Sequence, residues 1–173
     1  MIPRCSLLGC SANKPTALAT CQLPMTVISS RKPGMYSQRA LFVDTGGWLG
    51  VLDPKDKYHA QAADFFRHAL SAYTRLVTTN LVIAETYINI RRSSSHEKTI
   101  AFLDLIEKSG RIHCVWSDDE LEVSAREVLR LYHDQDFSYT DAVSFAVMQR
   151  DGIRDVFAFD RHFRTMGFTV LPA

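Results

Sequence analysis

The fold is decided first by residues 40–47, which read ALFVDTGG. Four apolar residues form a short run that Asp44 and two glycines end, a pattern typical of a buried strand. Similar short apolar runs recur at residues 76–79, 112–116, 156–159 and 168–171. Because helical patterns separate these runs, the sequence predicts an α/β domain with a mainly parallel sheet of about five strands, flanked by helices.

Helical periodicity fills the intervals between the strands. Helices are predicted at residues 58–73, 80–92, 96–108 and 118–133, and another begins near Ser138. The last helix is apolar almost all round, so we expect it to be buried. The segment 58–108 has more large apolar residues than one helical stripe needs: Phe65, Phe66, Tyr73, Tyr87, Ile90 and Phe102. Either all of them pack on the sheet, or some form an exposed groove for a partner.

The net charge of +1 is the sum of two unlike parts of this 173-residue chain. Residues 1–37 carry four Lys or Arg and no acid, whereas residues 38–173 carry the other 16 basic residues and all 19 acids, a net charge of −3. A domain with this charge has no positive excess for binding nucleic acid by counterion release alone. A metal or a local basic patch must therefore attract any polyanionic substrate.

The first 37 residues differ from the rest in pattern as well as in charge. They hold three of the four cysteines and four of the six prolines, without a sustained helical or strand period. We expect either a disordered basic tail or a start codon assigned too far upstream, with Met35 as the true first residue. The alternative is a transit peptide, since the segment is acid-poor and Ser-rich. No apolar run approaches the roughly 20 residues of a membrane span, so we expect a cytoplasmic protein without membrane contact.

Four carboxylates stand where burying an ionised side chain is costly. Asp44 and Asp160 directly follow predicted strands, Glu85 lies at the centre of an apolar helix, and Asp141 lies in the first turn of the buried helix. Each Asp has a structural explanation as a helix or turn cap, including a Ser138-x-x-Asp141 capping box. Parallel strands, however, end at one edge of the sheet, where such folds bind ligands. Converging carboxylates would need a cation, and oxygen ligands favour Mg²⁺ or Mn²⁺.

The motifs that contain these acids resemble those of one family. Residues 41–45 (LFVDT), 82–85 (VIAE), 137–142 (FSYTDA) and 157–163 (FAFDRHF) resemble the PIN-domain ribonucleases and, in chain size, the toxin subunit of VapC-type toxin–antitoxin modules. The resemblance implies a three-layer fold and a Mg²⁺- or Mn²⁺-dependent endoribonuclease. It also implies an RNA substrate, a cognate antitoxin and a homodimer.

The acidic quartet of the family maps onto Asp44, Glu85, Asp141 and Asp160, all of which are acidic here. We interpret the three aspartates as metal ligands, bound directly or through water. Glu85 would hold a metal-bound water or a second metal. In this reading the metal activates a water and neutralises charge on the phosphate.

Neighbouring residues are weaker candidates for the same site. Thr45 and Thr140 would hydrogen-bond a carboxylate or the phosphate, or would cap helices. Arg161 and His162 would contact RNA phosphate, or would be solvated residues of a turn.

Two other functions compete with the toxin interpretation. One is a housekeeping RNA-processing nuclease with the same site and no antitoxin. The other is a catalytically silent nucleic-acid-binding module whose acids are structural, against which the complete quartet argues. A phosphatase of the haloacid-dehalogenase type is excluded, because it needs a second Asp where this chain has Gly46.

Overall fold

The sheet contains five parallel strands. The computed structural model describes residues 39–173, so the interpretation of residues 1–37 lies outside the described part. The strands are β1 (Ala40–Val43), β2 (Arg75–Thr79), β3 (Ile112–Val115), β4 (Asp155–Phe157) and β5 (Thr169–Leu171). Their order is β3-β2-β1-β4-β5, and every neighbouring pair is parallel. The α/β fold predicted from the sequence is confirmed.

Seven helices flank the sheet within residues 39–173. They are α1 (Thr45–Leu52), α2 (His59–Ala72), α3 (Asn80–Ser93), α4 (His96–Lys108), α5 (Asp119–Leu131), α6 (Tyr139–Asp151) and α7 (His162–Thr165). Helices α1 to α4 pack on one another, and α6 packs on α5 and α7. None of these helices combines the length and the apolar character that crossing a membrane requires.

The core is built around the central strand β1 and the buried helix α6. Leu41, Phe42 and Val43 have no exposed surface, and eight of the thirteen residues of α6 are buried, as its apolar sequence predicts. Trp48 of α1 is also buried, and its indole nitrogen donates to the hydroxyl of Thr78 on β2 at 3.4 Å. This packing ties the start of α1 to the sheet.

The strand order reverses between β1 and β4. From β1 the chain continues to β2 and β3 on one side, and then returns to β4 and β5 on the other. The crevice at the carboxyl ends of the strands beside such a reversal is where open α/β sheets bind ligands. The backbone N–H of Asp44 donates to the carbonyl of Phe157 at 3.1 Å, which joins the two strand ends there.

Strand β4 is shorter than predicted. It ends at Phe157, and the ring of Phe159 stacks on Tyr58 with 4.3 Å between centroids instead of continuing the sheet. Asp160 therefore lies three residues beyond the strand, not directly after it.

The structure favours the packing interpretation for five of the six large apolar residues of segment 58–108, while the sixth, Tyr87, is half-buried. Tyr73, Ile90 and Phe102 are buried in the core, and Phe65 and Phe66 pack on the ring of Phe157. A cleft of about 310 Å³ lies where α1 ends against α3 and α4.

Gly47 allows α1 to lie directly against β4. A Cβ at this position would stand 2.5 Å from the carbonyl oxygen of Phe157. Because relief would require moving β4, we expect Gly47→Ala to lower the free energy of unfolding by about 2 kcal/mol. Gly46→Ala is the matched control, since its Cβ would have no neighbour closer than 3.6 Å. Urea denaturation measures both variants, and equal stability of the two would contradict the close approach.

Candidate active site

Asp44 is a buried acid at the end of the central strand. It is the N-cap of α1, its Oδ2 accepts a hydrogen bond from Gly46 N–H at 3.2 Å, and only 7% of the residue is exposed. The pKa of Asp44 is raised from 3.8 to about 7, first by burial and then by the negative charges of Asp141 and Glu85, against the lowering effect of backbone N–H groups. Asp44 therefore has the expected capping role, and it also lies close to the charges of Asp141 and Glu85.

Asp141 is oriented by the capping box predicted from the sequence. Ser138 is the N-cap of α6, and its hydroxyl accepts from the Asp141 N–H at 3.0 Å. In return, the Oδ2 of Asp141 accepts from the backbone N–H and the hydroxyl of Ser138, each at 2.8 Å. All the hydrogen bonds that Asp141's carboxylate makes within residues 39–173 converge on Oδ2, which leaves Oδ1 for a ligand.

Glu85 and Asp160 are less buried than the other two acids. Glu85 lies in the middle of α3, half-buried, and its charge contributes to the raised pKa of Asp44. The Asp160 side chain is 41% exposed, and its Oδ1 accepts from the His162 N–H at 2.9 Å. The structure thus brings all four predicted acids to the crevice beside β1 and β4, with Asp44 and Asp141 buried and the other two at its margin.

His162 joins the site in a way that the sequence does not indicate. Its side chain is only 13% exposed, and its Nδ1 lies 3.3 Å from Oδ2 of both Asp141 and Asp160. On the other side of the ring, Nε2 lies 3.1 Å from the Oδ1 of Asp136. Carboxylate oxygens only accept, so the contacts with Asp141 and Asp136 are hydrogen bonds when the ring nitrogen concerned carries hydrogen, whereas Asp160 Oδ2 lies within ion-pair distance of Nδ1. The expectation of a solvated turn residue is wrong for His162, and its place two residues after Asp160 is the one signal that points to the site.

Neither threonine is the N-cap of its helix. Asp44 and Ser138 are the caps, while Thr45 and Thr140 lie inside the first turns of α1 and α6. The Thr45 hydroxyl is buried and has no hydrogen-bond partner within residues 39–173, so it has a donor available beside Asp44. Arg161 is exposed, next to Asp160.

The four acids have the ligand chemistry that a divalent ion requires, although their present geometry does not form a metal-binding site. Within residues 39–173, no group of three or more His, Cys, Asp or Glu side chains is arranged to hold a metal ion as it stands. The pKa of Asp44 is nevertheless raised, chiefly by burial and then by the charges of Asp141 and Glu85, and carboxylate oxygens are the ligands that Mg²⁺ and Mn²⁺ prefer. Asp44, Asp141 and Asp160, with Glu85 nearby, are the residues that would turn toward such an ion.

The chain belongs to the PIN-domain family, whose model matches residues 41–169. It is 32% identical over 129 residues to the 23S rRNA-specific endonuclease VapC20 of Mycobacterium tuberculosis, a match that covers 74% of this chain and 95% of that relative. It is 30% identical over 128 residues to a VapC ribonuclease of Archaeoglobus fulgidus, covering 72% of this chain and 79% of the relative.

A crystal structure supports the same relationship. The M. tuberculosis VapC20, described as a Sarcin-Ricin loop cleaving toxin, superposes with a TM-score of 0.69 at 31% sequence identity. The superposition covers 75% of this chain and 96% of that one. The resemblance to PIN-domain ribonucleases that the four motifs indicate is confirmed.

Proposed function

We propose that this chain is a Mg²⁺- or Mn²⁺-dependent endoribonuclease and the toxin of a toxin–antitoxin pair. Asp44, Glu85, Asp141 and Asp160 are its acidic site. Structured ribosomal RNA is the first substrate class to test, since the relative with 32% identity is named for cleaving 23S rRNA.

The observation that carries this proposal is the crowding of acids around Asp44. Burial and the charges of Asp141 and Glu85 raise its pKa to about 7, and the site lies at the reversal point of the sheet. Bringing ionised carboxylates together costs free energy, and a divalent cation that also binds phosphate would lower this cost. A purely structural set of acids would not need to be gathered from four different segments.

Some residues of the site would bind the divalent ion, and others would contact the RNA. A bound divalent ion supplies Lewis-acid activation of the phosphodiester and of the attacking water. Asp141 keeps one oxygen for this ion because Ser138 and His162 occupy the other. The buried Thr45 hydroxyl would donate to a carboxylate or to the phosphate. Arg161 would supply a local positive charge where RNA approaches a domain whose net charge is −3.

The direct test is cleavage of a labelled RNA hairpin that carries the sarcin–ricin loop of 23S rRNA. A hairpin with the same stem and a scrambled loop is the substrate control. We expect the full-length chain to cut the first hairpin with Mg²⁺ or Mn²⁺ and to leave it intact in EDTA. Cleavage that persists in EDTA would contradict metal dependence, and equal cleavage of both hairpins would contradict selection of this loop.

The toxin assignment needs a separate experiment in cells. Expression of this chain should arrest growth, and co-expression of the small neighbouring reading frame should relieve the arrest. An expressed chain that cleaves RNA in vitro without any effect on growth of its native host would instead favour an RNA-processing nuclease.

A further inference from the structure

We propose that His162 is a positioning residue of the acidic site, which keeps Asp141 and Asp160 close enough together for both to turn toward a divalent ion. This inference rests on the proposed function. It concerns a side chain that is not one of the four acids and that would not itself contact the ion.

His162 connects two acids that come from different segments. Asp141 lies at the start of α6, whereas Asp160 lies in the loop after β4. One nitrogen, Nδ1, stands 3.3 Å from an oxygen of each. The two carboxylates repel each other, and an imidazole that hydrogen-bonds Asp141 and stands within ion-pair distance of Asp160 keeps them together.

The ring is itself held in place. Its centroid lies 5.2 Å from that of Phe137, edge to face, and Phe137 is buried and packs on Phe145 of α6. Nε2 contacts Asp136, but this carboxylate is 80% exposed, so the contact contributes little. The packing on Phe137 therefore fixes the ring, and through the ring it fixes the loop after β4 relative to the start of α6.

Residue 162 also determines how Asp160 is oriented. The backbone N–H of His162 donates to Oδ1 of Asp160, and its ring nitrogen faces Oδ2. On Asp141 the ring nitrogen faces Oδ2, the oxygen that already accepts from Ser138. Partners that orient metal ligands typically change metal affinity 10- to 100-fold when removed. Loss of the Nδ1 contact should therefore weaken ion binding by about 10-fold.

Two substitutions separate positioning from simple space filling. His162→Phe keeps an aromatic ring against Phe137 and removes both ring nitrogens. His162→Asn loses the ring but places an amide nitrogen near the position of Nδ1. A space-filling role predicts that the Phe variant binds Mn²⁺ like the wild type and that the Asn variant binds it more weakly. A positioning role predicts that the Asn variant binds Mn²⁺ like the wild type and that the Phe variant binds it more weakly.

The experiment measures Mn²⁺ affinity of the full-length chain at one fixed pH, by the EPR signal of free Mn²⁺, together with the melting temperature without metal. We expect His162→Phe to bind Mn²⁺ about 10-fold more weakly and His162→Asn to bind close to the wild-type value, even if its melting temperature is lower. Asp136→Asn is the control and should bind nearly as well as the wild type.

Other outcomes identify which idea has failed. Wild-type affinity in His162→Phe, or tighter binding, would overturn the positioning role while leaving the proposed function in place. A wild-type chain that does not bind Mn²⁺ would overturn the proposed metal dependence, and the positioning role with it.

Discussion

Asp141→Asn should abolish RNA cleavage while leaving the chain folded. The amide has the shape of the carboxylate, and its oxygen accepts from Ser138 N–H as Oδ2 does now, so the capping box is largely kept. The substitution removes the negative charge that the divalent ion requires. Because partners outside the direct ligand set already cost 10- to 100-fold, we expect cleavage to fall by at least about 100-fold. Initial rates on the labelled hairpin at saturating Mn²⁺ measure the loss.

Ser138→Ala is the matched control for this substitution. It removes the hydroxyl that exchanges hydrogen bonds with Asp141 but keeps the carboxylate and its charge. Loss of an N-cap costs about 1 kcal/mol of stability, which urea denaturation detects, while cleavage should fall far less than in Asp141→Asn. Equal losses of cleavage in the two variants would mean that the capping geometry, and not the charge, sustains the activity.

The parts of the fold that can be predicted from sequence are those in which local chemistry and tertiary packing agree. Strand β1 is a continuous apolar run, and it lies at the centre of the sheet, where both faces are covered. Helix α6 is recognisable from its apolar sequence and its capping box, and both bonds of that box are present. Helix α1 is indicated only by its cap, because three glycines in eight residues lower helix propensity. Its stability comes from tertiary contacts such as those of Trp48.

The acids of the site can also be nominated from sequence, for an energetic reason. A carboxylate in an apolar segment is costly, so Asp44 and Asp141 stand out from the sequence pattern alone. Both are buried, and the strand order brings them together. The exposure of Asp160 does not follow from its sequence neighbours, because the chain leaves the sheet after Phe157 and Phe159 stacks on Tyr58.

The role of His162 is not accessible to sequence reasoning. Its ring contacts residues 21 and 26 positions earlier in the chain, Asp141 and Asp136. No helical or strand period relates positions so far apart. Only the close approach of the loop after β4 to the start of α6 creates these contacts, which is why the residue looks like part of a solvated turn in the sequence.

Asp44→Asn should stabilise the metal-free protein at neutral pH and above. The pKa of Asp44 is raised from 3.8 to about 7 on folding, chiefly by burial. Between these values the folded state binds more protons than the unfolded state, so the contribution of Asp44 to stability is present at low pH and is lost as the pH rises toward 7. One pKa unit is worth about 1.4 kcal/mol, so the loss is at most about 4 kcal/mol. Asn carries no such charge and still accepts from Gly46 N–H.

The two chains should therefore diverge in urea denaturation as the pH rises from 5 to 8. All other titrating groups are common to both, so the difference between the curves reports Asp44 together with its charge coupling to Asp141 and Glu85. Asp119→Asn is the charge-matched control, since Asp119 is an exposed acid at the start of α5, and it should change stability little across this range.

Saturating Mn²⁺ should flatten the pH dependence of the wild type, because the ion favours ionised Asp44, and should raise stability by about 2.7 kcal/mol at 100 times the Kd. Asp44→Asn should lose most of this response. Parallel pH curves for the wild type and Asp44→Asn, with equal gains from Mn²⁺, would mean that Asp44 neither carries the crowded charge nor takes part in binding the ion.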